Sequence, residues 1–71
     1  MDDDWRTQIR QDIEKLREGR RGDTFHIRAE FLEGNVIDMT SVLKFINVHR
    51  GAMNVDMYRC LETGDTVIER V

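Results

Sequence analysis

Thr24-Phe25-His26-Ile27-Arg28-Ala29-Glu30-Phe31-Leu32-Glu33-Gly34-Asn35-Val36-Ile37-Asp38-Met39 is the stretch on which the fold turns. Phe25, Ile27, Ala29 and Phe31 alternate with His26, Arg28 and Glu30, the period of a half-buried strand. Glu33-Gly34-Asn35 has turn chemistry, and Val36-Ile37-Asp38-Met39 reads as a returning strand. A two-residue loop would set Phe31 opposite Asp38 and mix the faces. A three-residue loop over 33–35 pairs Phe31 with Ile37 and Ala29 with Met39, so it is preferred, with Asn35 in the left-handed region. Its cost is the like-charge pair Glu30/Asp38.

On the N-terminal side, Trp5, Ile9, Ile13 and Leu16 recur at helical spacing. One apolar stripe with charged residues elsewhere predicts an amphipathic helix. Asp4 suits its N-cap, and Lys15, Arg17, Arg20 and Arg21 suit the negative end of its dipole. Gly19 is the expected stop, with Gly22 behind it. On the C-terminal side, Thr40 to Arg50 is read as a short helix. Thr40 or Ser41 can cap it, Val42, Phe45, Ile46 and His49 share one face, and Gly51 ends it. A third strand over 42–48 is the alternative, since Val42, Ile46 and Val48 are β-branched. Val55 to Leu61 and Thr66 to Val71 read as a second hairpin turning at Thr63-Gly64-Asp65, with Leu61 opposite Val67 and Arg59 opposite Glu69. That register sets Met57, Leu61 and Val67 on one face and Tyr58, Cys60 and Ile68 on the other. A hairpin apolar on both faces is either central in a covered sheet or meets another molecule.

The expected architecture is therefore a single α+β domain over residues 1–71 in the order α-β-β-α-β-β. It is a two-layer fold, a four-stranded mainly antiparallel sheet with one or two helices on one face. The chain has 71 residues, 39% hydrophobic and 35% charged, which is a globular rather than a disordered balance. No apolar run approaches the roughly 18 residues of a membrane span. The opening Met1-Asp2-Asp3-Asp4 has the wrong charge for a secretory signal, and one cysteine makes no internal disulfide, so a cytoplasmic location is expected. Burial at this size contributes about 110 kcal/mol against about 105 kcal/mol of ordering entropy. A margin of a few kcal/mol is one that self-association into a homodimer would help.

The residues carry little chemistry. His26, His49 and Cys60 match no zinc-ligand spacing, so neither metal nor cofactor is expected. Ser41, the one serine, serves better as a cap than as a nucleophile. Cys60 has no base at a motif spacing, although His26 and Asp56 could approach it through the fold. A non-catalytic role follows. Arg17, Arg20 and Arg21, followed by His26 and Arg28 on the outward face of the first strand, form a candidate partner-binding set. Guanidinium groups suit phosphate or an acidic protein surface; the plain alternative is a solvated helix end. A net charge of −3 and the lack of a row of stacking aromatics argue against nucleic acid. Asp2, Asp3, Asp4, Glu30, Glu33, Asp38, Glu62, Asp65 and Glu69 supply an acidic surface of the kind that imitates nucleic-acid phosphate or simply keeps a protein dissolved. Trp5, Tyr58 and Ile68 are candidate interface residues, Trp5 otherwise serving as a core anchor.

The ending Glu62-Thr63-Gly64-Asp65-Thr66-Val67-Ile68 resembles the tails of many small bacterial and phage proteins, which names no family. The expected function is a non-catalytic protein-binding module, a small accessory or inhibitory protein of phage or mobile-element origin. The alternatives are a nucleic-acid-associated regulator using Arg17, Arg20, Arg21 and Arg28, and a purely structural homo-oligomer.

Overall fold

The computed structural model describes residues 5–71. Six elements follow in the order α1 (Trp5–Glu18), β1 (Thr24–Ile27), α2 (Ala29–Asn35), α3 (Met39–His49), β2 (Val55–Arg59) and β3 (Thr66–Arg70). The fold is α+β with a three-stranded antiparallel sheet ordered β1-β3-β2. The expected fourth strand does not form.

α1 follows its stripe. Trp5, Ile9, Ile13 and Leu16 are its buried residues. Trp5 stands edge-on to Phe45 of α3, with ring centroids 5.3 Å apart. The capping role expected of Asp4 lies outside the described residues. Gly19 does not enter the left-handed region; Gly22 does, at φ 94°. The carbonyls at the end of α1 are instead met by a distant cation. Arg70 Nη1 donates to the backbone oxygens of Leu16 at 3.3 Å, Arg17 at 2.9 Å and Gly19 at 2.9 Å. A guanidinium there satisfies orphan acceptors and opposes the dipole.

The expected hairpin over residues 25–39 is corrected to a short strand and two helices. β1 ends at Ile27, and Ala29-Glu30-Phe31-Leu32-Glu33 turns as helix. Ala, Glu and Leu are strong helix formers. The helix also lets adjacent Phe31 and Leu32 both pack on the core, whereas a strand would send one to each face. The Glu30/Asp38 repulsion never arises. The left-handed residue is Val36, at φ 52° and ψ 53°, not Asn35. Val36 N–H donates to Glu33 O and Ile37 N–H to Leu32 O, a Schellman closure with valine where glycine is usual. Asp38 then opens α3, its Oδ1 accepting from Ser41 N–H at 2.8 Å. That bond holds the Asp38 carboxyl below its ordinary range. So the segment read as 40–50 is the helix Met39–His49, with Val42 and Ile46 buried, and the cap is Asp38 rather than Thr40 or Ser41.

The β2–β3 hairpin exists but in another register. Val67 faces Tyr58, not Leu61, and Ile68 faces Met57. That shift of three positions is odd, so it flips one strand relative to the other. Phe25, Ile27, Ile68, Val55 and Met57 share the face that meets Ile9, Ile13, Val42 and Ile46 in the core. Thr24, His26, Asp56, Tyr58, Val67 and Glu69 share the other face. Its one aliphatic residue, Val67, is only 4% exposed, with His26 and Tyr58 as cross-strand neighbours. The expectation of an apolar outer face needing a cover is thereby corrected: apart from the buried Val67 the face is polar, and the buried residues of α1 and α3 cluster on the opposite face.

Candidate functional site: the groove between α1 and the free edge of β1

In the order β1-β3-β2, β1 has a strand on one side only. The bond from Arg70 N–H to Asp23 O, 2.9 Å, sets the alternation. Paired residues exchange bonds at every second position of an antiparallel ladder. Phe25 and Ile27 therefore bond to β3, and the N–H and C=O of Thr24 and His26 point to the open edge. Side-chain direction runs the other way: Phe25 and Ile27 turn to the core face, Thr24 and His26 to the outer face.

Beside this edge lies α1, antiparallel to it. Two hollows follow the seam. One, of about 480 Å³, is lined by Gln8, Ile9 and Asp12 of α1, His26, Ile27 and Arg28, and Glu30 and Phe31 of α2. The second, of about 270 Å³, is lined by Asp12, Lys15 and Leu16 across from Asp23, Thr24 and Phe25. Asp12 borders both, so they lie end to end along a groove between α1 and β1. Ile9, Ile27 and Leu16 lie beneath the hollows almost wholly buried, and the accessible walls carry charges of both signs. Gln8 Nε2 donates to Asp12 Oδ1 at a long 3.4 Å. Burial pushes the Asp12 carboxyl above its ordinary range, against the lowering effects of Gln8 and Lys15. A half-buried acid at that position has its charged form disfavoured by loss of water.

The residues singled out from the sequence go to several places. Arg17 turns inward. It ion-pairs with Glu14 and donates from Nη2 to His49 O at 2.7 Å, closing the end of α3. Arg20 and Arg21 are exposed in the turn before β1, and Arg20 N–H donates to Asp23 Oδ2 at 3.0 Å. Arg28 is exposed beyond the far end of β1, at the N-cap position of α2. The strand Thr24–Ile27 separates it from Asp23, five residue steps or about 16 Å at roughly 3.3 Å per residue. The five residues are thus not gathered into one patch. His26 Nδ1 lies 3.3 Å from Asp65 Oδ2 on the outer face. Of the candidate interface residues, Trp5 and Ile68 are core, at 8% and 0% exposed, and Tyr58 is on the surface at 46%. Tyr58 Oη donates to Glu69 Oε1 at 2.9 Å, which pushes the phenol up.

His26 meets Asp65, not Asp56. Cys60 N–H bonds to Asp65 O across the hairpin, so Asp65 stands between the strand of His26 and Cys60. A thiol nucleophile needs the base as its neighbour and the acid behind the base. Here the order is reversed. Thr63 holds the Cys60 thiol below its ordinary range through hydrogen bonds. Among the described residues, no three His, Cys, Asp or Glu side chains are grouped as a metal site, and no helix is long and apolar enough to cross a membrane. Comparison with protein-family models, curated proteins and solved structures finds no match.

The groove was missed from the sequence. Gln8, Asp12 and Lys15 read as the solvated side of α1. The available signal was the position of Asp12, three residues after Ile9 and four before Leu16, which sets it at the margin of the buried stripe.

Proposed function

We propose that the chain is a non-catalytic protein-binding module. The observation that carries this reading is the free backbone edge at Thr24 and His26, beside which α1 and β1 leave hollows lined by charges of both signs. Edge strands are templates for pairing, and natural proteins usually blunt them with proline, lysine or a cover. β1 has neither proline nor lysine. Strand addition draws affinity from main-chain bonds and specificity from alternate side-chain pockets, and the groove offers both. Its concrete form is a small accessory or inhibitory protein of phage or mobile-element origin, in keeping with its size, net charge of −3 and tail sequence. The engagement of Arg17 with His49 O and Glu14 favours a protein partner over nucleic acid, because it takes the first arginine out of the basic set.

The test is retention of a partner from lysate on the immobilised chain, before and after nuclease, with wild type and Asp12→Lys compared. The reading expects a stoichiometric protein that survives nuclease and is lost with Asp12→Lys. Nuclease-sensitive nucleic acid, lost instead with Arg20→Ala plus Arg21→Ala and falling steeply with salt, would overturn it.

A further inference from the structure

β2 is the second open edge of the sheet. Val71 N–H donates to Asn54 O at 3.0 Å, and Cys60 N–H to Asp65 O at 2.8 Å. By the alternation of an antiparallel ladder, Asp56 and Tyr58 bond to β3, and the N–H and C=O of Val55, Met57 and Arg59 point away from it. Val55 and Met57 carry half-buried side chains on the core face. The two open edges differ in what stands beside them. α1 flanks β1 with Gln8, Asp12 and Lys15. On α3, Phe45 meets Trp5 and Arg10 of α1. Met39 and Leu43 lie on the other side of the buried Val42–Ile46 stripe, away from α1 and so toward the β2 side of the sheet. Both are half-buried, and neither is charged. β2 has no proline or lysine to blunt its edge.

We propose that β2 is the interface of a homodimer, paired antiparallel with β2 of a second copy about a two-fold axis at Met57. The occupant follows from the strand itself. A strand that continues this core must place the side chains of its bonding residues on the core face. Thr24 and His26 of β1 carry theirs on the outer face, so β1 of a second copy does not fit. Val55, Met57 and Arg59 meet the requirement, so the edge of β2 is complementary to itself. Setting Met57 against Met57 of the second copy overlaps all five residues of each strand. Val55 then exchanges bonds with Arg59, and Asp56 stands opposite Tyr58. No like charges are directly opposed. A shift of two positions one way sets Asp56 against Asp56 at the closest spacing of the ladder. The same shift the other way carries Val55 and Asp56 past the end of the facing strand.

The axis stands perpendicular to the sheet, so both copies keep their helices on one face. The Met39 and Leu43 flanks of the two α3 helices then face each other above the paired Met57 side chains. The product is a continuous six-stranded sheet. Association covers half-buried apolar surface in a chain whose small size leaves little stability to spare. Tyr58, singled out from the sequence as an interface residue, lies within this contact. β1 remains open at both ends of the dimer, so this inference stands or falls apart from the partner-binding reading.

Sedimentation equilibrium of the full chain over about 5–500 µM is expected to show a monomer–dimer equilibrium. Arg59→Pro removes an edge N–H at an exposed position that bonds to nothing within β3, and should weaken association at least tenfold. Cysteine pairs read the register independently. In a Cys60→Ser background, Asp56→Cys and Tyr58→Cys chains are oxidised alone and as an equimolar mixture, and the products are weighed by mass spectrometry. In the proposed register these positions form a non-bonded pair with Cα atoms about 4.5 Å apart, within reach of a disulfide. Cross-linking of one variant to the other, and of neither to itself, is expected. Because both cysteines replace exposed outer-face residues, this test stands even if Arg59→Pro fails to fold. A wild type that is monomeric at the highest concentration, a folded Arg59→Pro that dimerises as well as wild type, absence of the mixed cross-link, or self-linking of either variant overturns the proposal.

Discussion

Replacing Arg70 by methionine should destabilise the chain by about 2–3 kcal/mol. The substitution keeps an apolar stem and removes the guanidinium. Its Nη1 serves three backbone oxygens, those of Leu16, Arg17 and Gly19, at the end of α1. Two N–H groups on one nitrogen cannot serve three acceptors fully, so one bond is shared. A hydrogen bond to a charged group contributes about 1.5–3 kcal/mol net, and a cation at a helix C-terminus about 0.3–1 kcal/mol. Water recovers part of the loss, because the site is only partly buried. For 71 residues the whole stability is about 4–10 kcal/mol. The loss is therefore a fifth or more of it, worth about 10–20 °C in Tm. Trp5, the one tryptophan, is buried against Phe45 and reports unfolding by fluorescence. Urea melts of wild type, Arg70→Met and Arg70→Lys measure the difference. Lysine keeps the charge without the fork and should fall between the other two. A loss below about 0.5 kcal/mol for methionine would refute the argument that β3 and α1 are tied through this contact.

Three further outcomes are expected. Val36→Gly should stabilise by about 0.5–1 kcal/mol in the same melts, because a left-handed valine costs roughly 1–2 kcal/mol and the added freedom of an unfolded glycine returns part of it. Ile68→Ala should cost about 2–5 kcal/mol and lower the urea midpoint in proportion, since Ile68 is fully buried on the central strand. Asp12→Asn should raise stability at pH 7 and leave it unchanged near pH 3. The folded carboxyl titrates above its ordinary 3.8, so the stability linked to its protonated form is complete below about 3.8 and is lost as pH rises through the folded value. A variant equal to wild type at both pH values would contradict the burial of that charge.

Legibility in the sequence followed the length of each pattern. α1 carries four apolar residues at helical spacing over more than three turns, and all four are buried. α3 was readable from Val42, Phe45, Ile46 and His49, although its cap lay at Asp38. Seven residues of α2 are under two turns, too short for a period of 3.6 to be separated from a period of 2, and the alternation that ends β1 runs straight into it. The register of β2 on β3 was not legible because Thr63-Gly64-Asp65 suggests a tight loop. The chain instead closes with Cys60 N–H on Asp65 O and Gly64 N–H on Cys60 O, and seating Met57 and Ile68 together on the core face decides the pairing. The arginines were visible as a cluster in sequence. Their dispersal was not, because Arg17 turns toward α3 through a contact 32 residues away. The groove depends on two elements meeting, and no local pattern encodes that.

Residue-resolved amide hydrogen exchange on the isolated chain, repeated with the retained partner bound, tests the central claim most directly. The free edge of β1 predicts fast exchange at Thr24 and His26 and slow exchange at Phe25 and Ile27, with Thr24 and His26 becoming protected when the groove is filled. Protection at all four residues in the isolated chain, or at none of the edge pair with the partner bound, would contradict it.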